Sequence, residues 1–190
     1  MDENIFKRAA AGDVAAFEVL ILAHEKFIYN IALRIMGNSE DAKDISQEAI
    51  IKIYRHLKTC NSAENLRAWM ARIVHNAGMD ELRRRKGKHT VSYDGMLDTE
   101  DNAMEMQIED DAKTRPEAVL LQKELGGQIE QALMSLSAEH RALIVLRDIQ
   151  GMSYEDIAEI TKTPLGTVKS RINRGRNNLK RILIEKLEQN

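Results

Sequence analysis

Apolar positions recur at helical spacing along most of the 190 residues, and strand-like alternation is scarce. A short helix is expected over about 2–11, ending at Gly12. A long one follows over about 14–36 and ends at Gly37. A third starts after Asn38 or Ser39 as cap and runs to Leu57, with Ala42, Ile45, Ala49, Ile53 and Leu57 as one apolar stripe. The spacing of Leu66, Trp69, Ile73 and Ala77 predicts a fourth over about 64–85. Pro116 suits a first helical position, and that helix is expected to reach Met134. Gly126 and Gly127 lie inside it and cost about 1 kcal/mol each relative to Ala, which leaves room for a break. Segments 137–148, 153–160 and 164–187 complete the helical pattern.

The stretch 87–113 lacks periodicity and is long for a loop inside one compact domain, so it reads as a flexible linker. The expected fold is all-α: two small helical domains, 1–86 and 114–190, joined by that tether of 87–113. Two prolines and ten glycines agree with a helical chain.

Net charge is only −2, but its distribution is uneven. Asp94, Asp98, Glu100, Asp101, Glu105, Glu109, Asp110 and Asp111 make the tether acidic with no Lys or Arg among them. From Lys162 to Arg181 the pattern reverses, with seven cations and no acid, and a block Arg83–Lys88 closes the first half. A phosphate backbone senses such local charge, not the total. A plain solvated tether and a tether folded onto the basic helix both agree with this charge pattern.

Other functions are excluded one at a time. The polar, acidic start MDENIFKRAA is unlike a signal peptide. No apolar run approaches the roughly 20 residues of a membrane span, so membrane insertion is not expected. Cys60 is the single cysteine, which rules out an internal disulfide and a thiolate zinc cluster and suits a reducing cytoplasm. The five histidines are scattered, no glycine-rich phosphate loop is present, and the carboxylate pairs sit in the tether. No enzyme, metal, cofactor or small-molecule substrate is expected.

The segment from Ser153 to Ile172 has a helix-turn-helix layout. Ser153 and Asp156 match a capping box, and Thr163 is expected to cap a second helix opened by Pro164. A wheel at about 100° per residue puts Val168, Ile172, Gly175, Leu179 and Ile182 on the core side. Ser170, Asn173, Arg174, Asn177 and Arg181 lie opposite, with Lys169 and Arg171 on the flanks. Such side chains reach base edges in a major groove or hold phosphates. A merely solvated basic face is the bland alternative.

Asp41-Ala-Lys-Asp-Ile-Ser-Gln-Glu resembles the core-binding region of extracytoplasmic-function sigma factors of the sigma-70 superfamily. The run Leu66–Arg85 resembles that family's −10 region, and the helix-turn-helix its fourth conserved region. The resemblance implies a transcription initiation factor with RNA polymerase core, promoter DNA and a cognate anti-sigma factor as partners. It implies that Asp41, Asp44, Gln47, Glu48 and Ile51 meet the β′ clamp helices and that the second domain meets the β flap. By the same resemblance Lys58, Cys60, Asn61, Arg72, Asn76, Arg83, Arg84 and Arg85 face the −10 element. Thr167, Lys169, Ser170, Arg171, Asn173, Arg174, Asn177 and Arg147 face the −35 element. Many relatives carry an aromatic residue where this chain has Cys60. Asp80 lies nearer the apolar face on the wheel and reads as a structural ion pair, and Trp69 reads as core. The competing interpretation is a conventional repressor or activator that binds operator DNA as a dimer; a third is a polymerase-binding adaptor that reads no DNA.

Overall fold

The computed structural model describes residues 3–89 and 116–188. The helices are α1 (Glu3–Ala10), α2 (Val14–Leu22), α3 (Glu25–Met36), α4 (Ser39–His56), α5 (Leu66–His89), α6 (Pro116–Met134), α7 (Ala138–Ile144), α8 (Tyr154–Thr161) and α9 (Leu165–Glu188). A 3-10 turn, Leu57–Thr59, follows α4, and a π-turn, Val145–Ile149, continues α7. No strand occurs among the described residues. The acidic stretch 94–111, and every expectation placed on it, lies outside them.

The helix ends have local chemical causes. Asp13 caps α2 by accepting from the Ala16 amide at 3.1 Å, and Arg8 braces that carboxylate at 2.6 Å. Gly37 ends α3 at φ 86°, a left-handed turn that glycine adopts without a Cβ penalty. Asn38 then caps α4 by accepting from the Asp41 amide at 2.8 Å. Helix α6 runs through Gly126–Gly127 without a break.

The expected single helix over 14–36 is two helices. In a continuing helix the His24 amide would bond to the Leu20 carbonyl. Here the His24 imidazole donates from Nδ1 to that carbonyl at 2.8 Å, while its amide takes Ile21 O at 2.8 Å. The side chain displaces the main chain, and α3 starts afresh with the Ile28 amide on His24 O. Thr163 also differs from expectation: its hydroxyl turns back to donate to Thr161 O at 3.2 Å.

The predicted stripe of α4 is the buried one, Ala42, Ile45, Ala49, Ile53 and Leu57 all being at most 4% exposed. On α5 the core line is rotated from expectation. Leu66, Met70, Val74 and Ala77 are buried, whereas Trp69 and Ile73 sit half-exposed on its shoulder. In the second unit Val168, Ile172 and Gly175 face inward, against Leu143, Ile144 and Leu146 of α7 and the turn after it.

The two helical units are docked on one another through one connected apolar core. Polar ties also cross the junction. Buried Arg141 donates to the Ile35 carbonyl at 2.7 Å and to its own unit's Met134 carbonyl at 3.2 Å. Arg34 meets Glu130 at 2.9 Å, with both side chains largely buried. Arg72 meets Glu159 at 3.1 Å on the surface. Gly37 allows the approach: a Cβ there would lie 2.9 Å from Met134 Sδ.

Lys162, in the turn between α8 and α9, has φ 50° and ψ 41° and is the one non-glycine with positive φ among the described residues. A left-handed L-residue costs about 1–2 kcal/mol. Lys162→Gly should therefore stabilise the protein by about 1 kcal/mol after glycine's own entropic cost, read as a rise in the urea midpoint.

Candidate nucleic-acid interface

Helices α8 and α9 form the helix-turn-helix. Ser153 and Asp156 close the full capping box: the Asp156 amide donates to Ser153 Oγ at 2.9 Å, and the Ser153 amide to Asp156 Oδ2 at 3.3 Å. That fixes the start of α8, whose Ile157 and Ile160 are buried and seat the motif on the core. Helix α9 then projects Lys169, Ser170, Asn173, Arg174 and Asn177 as exposed side chains on the face opposite Val168 and Ile172. Thr167 is half-buried and accepts at its carbonyl from Ser170 Oγ at 3.0 Å. Arg171 leans to Glu139 at 3.4 Å. Arg147 is only partly exposed; its guanidinium donates to Met152 O at 2.5 Å.

The expected −10 residues are spread around α5 and the loop before it. Lys58 and Asn61 are exposed. Cys60 is 7% exposed, its thiol donates to Ser62 O at 3.4 Å, and burial pushes that thiol up from its ordinary pKa. Arg72 pairs with Glu159, and Asn76 is exposed beside buried His75, whose Nδ1 lies 3.3 Å from its amide oxygen. Arg83 pairs with Asp80 at 2.6 Å. Asp80 is therefore in an ion pair as expected, but on the exposed side and not near the apolar face. Arg84 binds Glu81 at 2.7 Å, and Arg85 binds both Glu81 and Asp41.

This last cluster has electrostatic consequences. Arg84, then Arg85, hold the Glu81 carboxyl at about 2, and Arg85 beside Asp41 keeps that carboxyl below its usual range. Both pKa values are depressed on folding. Their stabilisation is complete above the ordinary carboxylate range near 4 and is lost as pH falls through the folded values. Thermal midpoints should stay level between pH 7 and 5.5 on account of this cluster. They should fall between pH 4.5 and 2.5, and fall less in Glu81→Gln.

Of the expected polymerase face, Asp44, Gln47, Glu48 and Ile51 form an exposed ridge on α4, with Ile51 half-exposed and apolar. Asp41 stands apart, committed to Asn38 and Arg85. Two clefts flank Arg72. One of about 420 Å³ lies between α5 and α8 and is lined by Cys60, Asn61, Trp69, Arg72, Glu159 and Ile160. The other, about 290 Å³, is lined by Lys52, His56, Trp69, Arg72 and Asn76. Lys52, His56 and Trp69 were not singled out as contacts from sequence; the i, i+4 spacing of Lys52 and His56 beside the α4 ridge is the signal that was there to find. Among the described residues no helix is long and apolar enough to cross a membrane, and no cluster of His, Cys, Asp and Glu fits a metal ion.

Residues 20–88 match Sigma-70 region 2 and residues 126–179 match Sigma-70, region 4. The chain is 33% identical over 183 residues to ECF RNA polymerase sigma factor SigW of Bacillus subtilis, covering 96% of this chain and 97% of that one. It is 31% identical over 186 residues to RNA polymerase sigma-H factor of Pseudomonas aeruginosa, covering 96% and 93%. Among solved structures, the sigma factor RpoE in complex with the anti-sigma factor NepR from Bartonella quintana superposes with a TM-score of 0.66 at 25% identity, over 88% of this chain and 96% of that chain. CnrH in complex with the cytosolic domain of CnrY gives 0.65 at 23% identity over 97% of each, a likeness of fold. With both conserved regions in order on an all-helical frame and whole-length relatives above 30% identity, the chain belongs to the ECF RNA polymerase sigma factors.

Proposed function

We infer that this chain is a non-enzymatic transcription initiation factor, which binds core RNA polymerase and directs it to promoters through −10 and −35 elements. The observation that carries the reading is the exposed polar and basic face of α9 on a chain that also bears the α4 ridge and the α5 strip. Residues 1–86 are assigned to core and −10 binding and 114–190 to −35 binding, with 87–113 between them. A conventional dimeric operator binder is not favoured, because it leaves the region 2 unit without a role. The work of such a factor lies in the cytoplasm, and an anti-sigma factor is a proposed partner, the kind of protein bound to RpoE in the Bartonella quintana complex.

In this reading Asp44, Gln47, Glu48 and Ile51 dock on the β′ clamp helices: an apolar centre with charged rim suits a specific helix-to-helix contact. Asn173 and Arg174 read base edges, while Lys169 and Arg171 neutralise phosphates. On the −10 side, Arg72 lines both clefts and Asn76 the second, where an unstacked base finds the Trp69 indole and amide donors. Arg84 and Arg85 reach phosphates only by exchanging their present carboxylate partners.

The docked arrangement is then a resting form. Elements centred at −10 and −35 stand about 25 base pairs apart, roughly 85 Å along the duplex at 3.4 Å per step. Units that share one core cannot occupy both, so they part on the polymerase. Run-off transcription with core polymerase on a randomised promoter library tests the function. Transcripts should need both proteins and select two motifs; a library whose transcripts ignore the added chain overturns it.

A further inference from the structure

The turn after α7 gives two charged side chains to the helix-turn-helix. Over Val145–Ile149 the chain follows π-type bonding, with the Gln150 amide reaching back to Val145 O at 2.9 Å. A π-turn advances fewer degrees per residue than an α-turn and re-aims what it carries. Here it carries Arg147 and Asp148. The Arg147 guanidinium lies 4.4 Å from the centre of the Tyr154 ring, at the first residue of α8. The Lys169 ammonium, from α9, lies 5.8 Å from the same ring. Asp148 takes Arg176 of α9 at 3.0 Å. One ring on α8 thus faces cations from the π-turn before it and from α9 after it.

We propose that Tyr154 is a positioning residue for −35 recognition, holding Lys169 of α9 and Arg147 of the π-turn as one cationic ridge for duplex phosphates. The proposal rests on the reading of α9 as the −35 element and deepens it. Long cations lose rotamer freedom when they settle on a phosphate. A ring that already restrains them lowers that loss and keeps their mutual repulsion in check. Tyr154 has no need to touch DNA for this. Its π-face does the work, and the hydroxyl is dispensable to it.

The test uses the full chain reconstituted with core polymerase on a duplex promoter carrying both elements. Tyr154→Leu should weaken promoter binding roughly fivefold to tenfold, whereas Tyr154→Phe, which keeps the face, should stay within about twofold. In a chain that already carries Lys169→Met and Arg147→Met, Tyr154→Leu should add little, because the groups it positions are gone. A structural role alone would add its cost in both backgrounds. Thermal melts accompany each variant. Should Tyr154→Leu fold poorly, the Lys169 ε-methylene protons of the wild-type chain decide: ring current should shift them upfield, and random-coil positions overturn the stack. The inference is also overturned if Tyr154→Phe falls as far as Tyr154→Leu, since the hydroxyl is then the contact, or if the leucine effect persists undiminished in the double background. If Lys169→Met and Asn173→Ala leave promoter binding unchanged, the −35 reading itself is what has failed.

Discussion

Adding core polymerase to a chain labelled with a donor at Glu64 and an acceptor at Glu155 should abolish most of their energy transfer. The two exposed positions flank Asn65 and Asp156, which line the same cleft between α5 and α8. In the free chain the dyes sit close together. On the polymerase the two units must reach sites about 85 Å apart along the duplex, well beyond useful transfer. The change is large because nothing intermediate serves both elements. Transfer that stays high in an actively transcribing complex would show that the units never separate. The nature of the junction makes parting affordable. Arg34, Glu130, Arg141, Arg72 and Glu159 bring charge to it, and Arg141 is buried without a carboxylate partner in the hydrogen bonds it makes, to the Ile35 and Met134 carbonyls. Burial alone lowers the Arg141 pKa, which is the mark of a cation taken out of water. Such groups regain hydration when the units part, so much of what docking gains in apolar contact is offset.

The second large effect belongs to α9. Replacing Asn173 and Arg174 together by alanine should lower run-off transcription from a two-element promoter by roughly 100-fold or more. Each base contact of this type is worth about 1–3 kcal/mol of discrimination, and the two side chains lie next to each other on one exposed face. Both are exposed and away from the Val168–Ile172 contact, so the melting temperature should hardly move. Lys169→Ala should behave differently. It should weaken binding evenly across promoter sequences and reduce the slope of log affinity against log salt by about one. An adaptor that reads no DNA would respond to neither change. Equal losses on promoters with and without a −35 element would remove α9 from recognition.

Elements whose causes lie within one turn of helix were legible before any coordinates. The capping box Ser153–Asp156, the cap Asn38 and the stop at Gly37 each depend on residues within four positions, and the α4 stripe repeats cleanly over about four turns. The wheel of α9 also held, because after Leu165 at its start Val168 and Ile172 are the strongly apolar residues of its first half, four apart on one face. The break at His24 was hidden, since a histidine competing with its own backbone has no signature in propensity. On α5 the error was a rotation: Trp69 and Ile73 are as apolar as Met70 and Val74, and only packing against α3 and α4 chooses between them. The docking could not be seen in any window, because Arg34 and Glu130 are 96 positions apart. The same holds for Arg85, whose partner Asp41 lies 44 positions away and withdraws it from the open basic block that the sequence displays.

Cys60 lines the cleft between α5 and α8 together with Ile160, and it is the chain's single sulfhydryl. Any event that lifts the second unit away opens that cleft, where a thiol-selective reagent has one sulfhydryl to find. Untagged, unmodified protein therefore carries its own clock: the rate at which its mass grows by one adduct counts how often the molecule comes apart, in a test tube or in a living cell.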